Sequence, residues 1–165
     1  MEEYEGTKAM LARRANFIEE HQAMYLESGG REGHIIELSA VGARNMLPCL
    51  LLKTIGRKSG EPRVTPLIYG CYGGEWVVIG SKGGALEHPA WFHNLSANPE
   101  VFFQVATQCF RATSRVAHGD ERAAVWAYMA HHFPPYATYQ TVAGDREIPV
   151  VMLDPIEEVP VLTKT

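Results

Sequence analysis

Five runs rich in aliphatic, β-branched and aromatic residues, Leu50 to Ile55, Val64 to Cys71, Glu75 to Ile79, Val101 to Ala106 and Phe110 to Val116, crowd the middle of the chain. Side chains of this kind suit a pleated, largely buried surface, and the lengths suit strands. Tyr72-Gly73-Gly74 joins two of the runs with hairpin chemistry, because glycine takes a positive φ without a Cβ clash. Gln108 falls in a second hairpin, and a last strand is expected at Pro149 to Leu153.

Helical spacing appears on either side of these runs. Met10 and Leu11, Phe17 and Ile18, and Met24 and Tyr25 recur at heptad intervals, which sets them on one stripe that Ser28-Gly29-Gly30 ends. A second helix is expected over Leu86 to Ala97. A third spans Asp120 to His132, with Asp120 as N-cap and Ala123, Trp126, Ala127 and Ala130 on one face. Pro134 and Pro135 stop it, leaving Tyr136 to Val142 for one more short turn. The order helix, three strands, helix, two strands, helix, strand lacks the alternation of a doubly wound sheet, so a mostly antiparallel α+β barrel is expected. Residues 1–30 would form an amphipathic helix packed on a single domain of residues 31–165.

With 165 residues and 46% apolar composition, such a domain can hold a core without disulfides or metal. Its formal net charge of −4 argues against a generic nucleic-acid partner. Cys49, Cys71 and Cys109 form no CxxC pair and read as small core residues of a reduced, cytoplasmic protein. The acidic N-terminus is unlike a secretory signal, no run reaches the roughly 18 apolar residues of a membrane span, and Glu19 and Glu20 suit an anionic membrane poorly. The Asn94-Leu95-Ser96 sequon is read as chance.

Within this acidic chain Lys53, Arg57, Lys58, Arg63 and Lys82 gather, opposed only by Glu61 and Glu75, and form a local anion site. The turn Gly56-Arg57-Lys58-Ser59-Gly60 offers a forked guanidinium, an ammonium and backbone amides to an oxyanion, although a solvated hairpin tip has the same composition. Gly80-Ser81-Lys82-Gly83-Gly84 leaves an apolar strand and lets a flat ligand or a phosphate approach the backbone; it lacks the GxxxxGK[ST] spacing of a nucleotide-hydrolysing loop. Trp91 can pack on a ring system, and Tyr136 and Tyr139 can present two phenols on one helical face. His88, His93, His131 and His132 lack the spacing for metal ligation from one helix face, so no metal is expected. Without a GxSxG elbow or an activated Cys, hydrolytic chemistry has no support.

Five blocks in order, LLLKTIGRKSGEPRVTPLIY, GSKGG, HPAWFHNLSANPEV, FPPYATYQ and DREIPVVMLDP, resemble the deazaflavin-dependent nitroreductase family from about Leu50 to Pro155. The resemblance implies a split β-barrel of the FMN-binding type and coenzyme F420, a 5-deazaflavin with a phosphate and an acidic oligoglutamate tail. It further implies that Arg57, Lys58, Ser59 and Arg63 meet the phosphate and tail, and that Pro66, Ser81, Lys82, Gly83 and Gly84 hold the deazaflavin and its polar chain. Trp91, Phe133 and Tyr136 would border the substrate, with Ser81, Tyr136 and Tyr139 as catalytic hydrogen-bond donors. Where the family pattern has three tyrosines, this chain has Phe133 at the first. The expected activity is hydride transfer from the reduced deazaflavin to an enone, a quinone or a nitro compound, in a monomer or homodimer. Related split barrels make FMN the alternative ligand. A carrier without turnover, or an interaction protein docking through its first helix, are the rival classes.

Overall fold

The computed structural model describes residues 16–37 and 46–163. Helix α1 covers 16–27 of these. Then come β1 (Ile35–Glu37), β2 (Met46–Ile55), β3 (Pro62–Tyr72), β4 (Glu75–Ile79), α2 (Ala90–Ala97), β5 (Glu100–Val105), β6 (Gln108–Val116), α3 (Gly119–His132), α4 (Pro135–Ala143) and β7 (Val150–Val159). Every strand pairing is antiparallel, in the order β1-β2-β3-β4-β7-β6-β5. Strand β5 also returns to β2, with Leu52 opposite Phe103, and this pairing closes the sheet into a barrel. The split-barrel α+β fold expected above is the fold observed.

The strands carry near-continuous apolar runs because both faces of the sheet are covered, and alternate residues feed two cores. Leu50, Leu52, Val78, Val151 and Leu153 join Trp91 and Leu95 of α2. Their neighbours Cys49, Leu51, Val77, Val150 and Met152 join Met129 of α3 and Tyr136 of α4. A one-residue slip of any of these strands would exchange the two sets. Tyr25 fastens α1 to the barrel: its buried hydroxyl accepts from the Ala106 N–H at 2.8 Å and lies 3.0 Å from the Cys49 carbonyl. That bond sits at the β5–β6 turn, where Ala106 takes a φ of 51°. Gly30 permits the approach, since a Cβ there would lie 1.7 Å from the Ala106 oxygen.

Several local expectations are corrected. Helix α2 begins at Ala90, not Leu86, because Pro89 is its extended N-cap (ψ 152°) and disfavours helical backbone at the residue before it, and Leu86 lies exposed outside the helix. In α3 the N-cap is His118 and Asp120 sits in the first turn; Val125 and Met129, spaced one helical turn apart, supply its buried face. Ala123 and Ala127 are exposed, since alanine fits either face. The segment after Pro134 is a full helix, α4, with Pro135 in its first turn. Strand β7 runs on to Val159 because its charged half is a ladder partner of β6, with Pro155 beside a bulge at Arg111 and Ala112. Cys71 is exposed, unlike Cys49 and Cys109. The stripe on α1 is divided: Tyr25 is buried and Phe17 half-buried, while Ile18 and Met24 are exposed, and Met10 and Leu11 lie outside the described residues. No helix among the described residues is long and apolar enough to cross a membrane.

Candidate active site

The β2–β3 hairpin ends in a tight turn: the Gly60 N–H donates to the Gly56 carbonyl at 2.8 Å, and Gly60 takes a φ of 72°. This turn lifts Arg57, Lys58 and Ser59 into solvent, and β3 adds Arg63. Together with Thr65 and Trp91 they line a cavity of about 340 Å³. Arg57, Lys58 and Arg63 pair with no carboxylate among the described residues, so three cations border a hollow without internal compensation. Arg57 is anchored by Asn94 of α2, which is 4% exposed and accepts from the Arg57 N–H at 3.1 Å and from its Nη1 at 3.2 Å. The Asn94 amide in turn donates to Thr54 Oγ1 at 3.2 Å. An Asn read as part of a chance sequon is thus a strut under the cationic turn.

Two members of the expected basic cluster lie elsewhere. Lys53 is on β2 with its ammonium 5.0 Å from the centre of the Phe102 ring, across the β2–β5 closure. Lys82 borders a different cavity and forms a 2.8 Å ion pair with Glu87. Of the expected opposing charges, Glu75 is held by Arg115 at 2.7 Å.

The second cavity, about 550 Å³, is walled mainly by apolar side chains. Pro66, Ser81, Lys82, Gly83, Trp91, Phe133, Tyr136 and Tyr139 all border it, so expected cofactor and substrate residues from four parts of the chain converge there. Thr65 and Trp91 belong to both hollows and make them neighbours. Gly84 does not reach either; it lies buried beneath α4, where a Cβ would come within 2.8 Å of the Tyr139 carbonyl. Phe17 and Ile18 of α1 also border the cavity, a role that a stripe pattern alone reads as core.

Polar groups on the apolar wall are few. Tyr136 is 4% exposed, packs edge-on against Phe133 at 4.8 Å, and has a hydroxyl that no described residue hydrogen-bonds. Burial, followed by the nearby Tyr139, raises its phenol well above the ordinary range, so it stays a neutral donor. Cys49 borders the same space, but burial pushes its thiol up to about 12, which leaves no thiolate for nucleophilic work. The loop after β4 borders the same cavity. Ser81 is right-handed (φ −73°, ψ −39°), whereas Lys82 and Gly83 are left-handed (φ 46° and 62°). This alternation turns successive backbone N–H groups toward one side, the geometry of an anion-binding nest. A left-handed Lys is an uncommon conformation that surrounding structure has to hold in place. Arg146, overlooked in the sequence between Asp145 and Glu147, reaches this loop and donates to its carbonyls.

Residues 17–155 match the model of the family described as F420H(2)-dependent quinone reductase. An F420H(2)-dependent quinone reductase of Mycobacterium tuberculosis is 38% identical over 136 residues, which cover 81% of this chain and 86% of the relative. A solved F420-H2 dependent reductase is 39% identical, covers 65% of this chain and 94% of its own, and superposes with a TM-score of 0.60. A second solved chain, described as a domain-swapped dimer, is 33% identical with a TM-score of 0.62, covering 86% of this chain and 99% of its own. Cationic turn, glycine loop and aromatic helix all fall inside the matched stretch, and the chain belongs to the F420H(2)-dependent quinone reductase family.

Proposed function

We propose that this protein is an oxidoreductase that uses coenzyme F420 to reduce quinones, with enones and nitro compounds as further acceptors in the same cavity. The observation that carries this reading is the contact between a hollow edged by unpaired cations and a larger apolar hollow across Thr65 and Trp91. A flat ring with a polyanionic tail needs those two environments side by side. FMN, the alternative, ends at one phosphate, which carries at most two negative charges and would leave at least one of Arg57, Lys58 and Arg63 unanswered.

The bound deazaflavin supplies the hydride chemistry. Arg57, Lys58 and Arg63 grip phosphate and carboxylates by charge-assisted hydrogen bonds, with Ser59 beside them on the same turn. Pro66, the Ser81–Gly83 backbone and Lys82 hold the ring side. Trp91 and Phe133 exclude water and align the acceptor with the donor. Ser81 and Tyr136 donate hydrogen bonds to the acceptor oxygen, where negative charge grows during reduction, and Tyr139 orients Tyr136 from the next helical turn. Because the Tyr136 phenol stays protonated, it can act in this way across the neutral range.

The test mixes purified protein with reduced F420 and separate quinones, enones and nitroaromatics, and follows cofactor oxidation. Rapid oxidation with quinones supports the reading. Tight cofactor binding without oxidation by any acceptor would instead establish a carrier, and tighter binding of FMN than of F420 would overturn the cofactor assignment.

A further inference from the structure

The Arg146 guanidinium has an unusual set of partners. Its Nε donates to the Ala85 carbonyl at 2.8 Å, Nη1 to the Gly80 carbonyl at 3.0 Å, and Nη2 to the Ser81 carbonyl at 2.7 Å. Nη1 also meets His88 Nδ1 at 2.9 Å. All four are neutral acceptors, and no carboxylate among the described residues forms an ion pair with this group. A half-buried guanidinium normally takes an acidic partner. Here its rigid fork is spent on both ends of one six-residue loop, Gly80 to Ala85. Three carbonyls drawn to the Arg146 side fix which way the intervening peptide units face. Between them lies the left-handed Lys82, which pays a steric cost in any unconstrained loop.

We infer that Arg146 is a positioning residue for the cofactor ring: it clamps the carbonyls of Gly80, Ser81 and Ala85 so that the amides of the Ser81–Gly83 nest stay turned to the deazaflavin. Its uncompensated charge stands behind the same loop and adds positive potential to the wall. The clamp acts on the ring side of the site and not on the tail side, which the hairpin of Arg57 and Lys58 serves. This inference rests on the deazaflavin reading above.

Equilibrium titration separates the two. Three proteins, the native chain, Arg146→Met and Arg146→Lys, are titrated with F420 and with the same deazaflavin nucleoside lacking phosphate and tail. Loss of several neutral hydrogen bonds should weaken both ligands by a similar factor, about tenfold to a hundredfold for Arg146→Met, with a smaller loss for Arg146→Lys, which keeps the charge and part of the bonding. If Arg146→Met does not fold, Arg146→Lys is combined with Lys82→Gly, which removes the steric cost of the left-handed position. The Arg146→Lys loss should then be smaller than in the Lys82 background, an interaction that a general loss of stability would not produce. Failure of the native chain to bind either ligand would defeat the cofactor reading itself. Native-like binding by the Arg146 variants, a loss confined to the tailed ligand, or no coupling to Lys82→Gly would each overturn the clamp while leaving that reading in place.

Discussion

The two hollows that meet at Trp91 are built on opposite principles. The hairpin hollow is exposed and cationic, and its geometry is set by one buried side chain, Asn94, acting from below. The hollow under α4 is walled by packed rings, and its few polar groups come from the buried Tyr136, the half-buried Tyr139 and the Ser81–Gly83 loop. Charges in water attract a polyanion from a distance and are weakened by salt, whereas a buried donor acts only on what has already entered. The first region should therefore govern how tightly the cofactor's tail is held, and the second how its ring is seated and how fast it reacts.

The largest effect that could break this division comes from the double variant Arg57→Ala with Lys58→Ala. Two charge-assisted contacts are lost, so F420 affinity should fall about a hundredfold or more, with turnover at saturating cofactor nearly unchanged. An equal loss in turnover, read from steady-state kinetics, would merge the two regions. Next in size, Tyr136→Phe should lower kcat about tenfold and leave the cofactor dissociation constant within about twofold of native. If binding suffers as much as turnover, the phenol is holding the cofactor and not the acceptor. Asn94→Ala sharpens the comparison from beneath: it frees Arg57 and strands Thr54 Oγ1, and should cost about 1 to 3 kcal/mol in thermal or denaturant unfolding together with a several-fold loss of F420 affinity.

The smallest expected effect is that of acid. His88 is held below its ordinary range first by burial, then by Arg146 and by His93, whose ring centre lies 5.8 Å away; the Lys82–Glu87 pair sits on the same segment. The unfolded chain therefore takes up a proton at His88 more readily than the folded one. The associated stability is complete above the ordinary histidine pKa and is lost as pH falls through it toward the lower folded value. Melting temperature should drop between about pH 7.5 and about pH 5.5 by more in the native protein than in His88→Gln, whose side-chain oxygen can still accept from Arg146. Parallel melting curves for the two would remove His88 from the account.

How far the sequence foretold these regions also differs. Barrel and hairpin hollow were legible because strand composition, the Gly-bounded turn and the local excess of Arg and Lys are all written over short stretches. The convergence of Pro66, Ser81, Trp91, Phe133 and Tyr136 was legible only through the ordered family blocks, since residues so far apart in the chain carry no local sign of meeting. Asn94 and Arg146 were missed for a physical reason. Each acts through backbone or through another side chain, and an Asn on a helix or an Arg between two acids looks like ordinary surface. The charged half of β7 escaped for the same cause: its strand character comes from the β6 ladder and not from its own residues.

The central claim is that charge at the hairpin holds the tail while the ring is held elsewhere. Calorimetric titration of the native protein with F420 and with its tail-less nucleoside, each at about 0.05 M and about 0.5 M salt, tests it most directly. The account predicts that F420 binds much more tightly at low salt and loses most of that advantage at high salt, while the nucleoside binds weakly and equally at both. Equal affinities for the two ligands, or an F420 affinity that salt does not change, would contradict it.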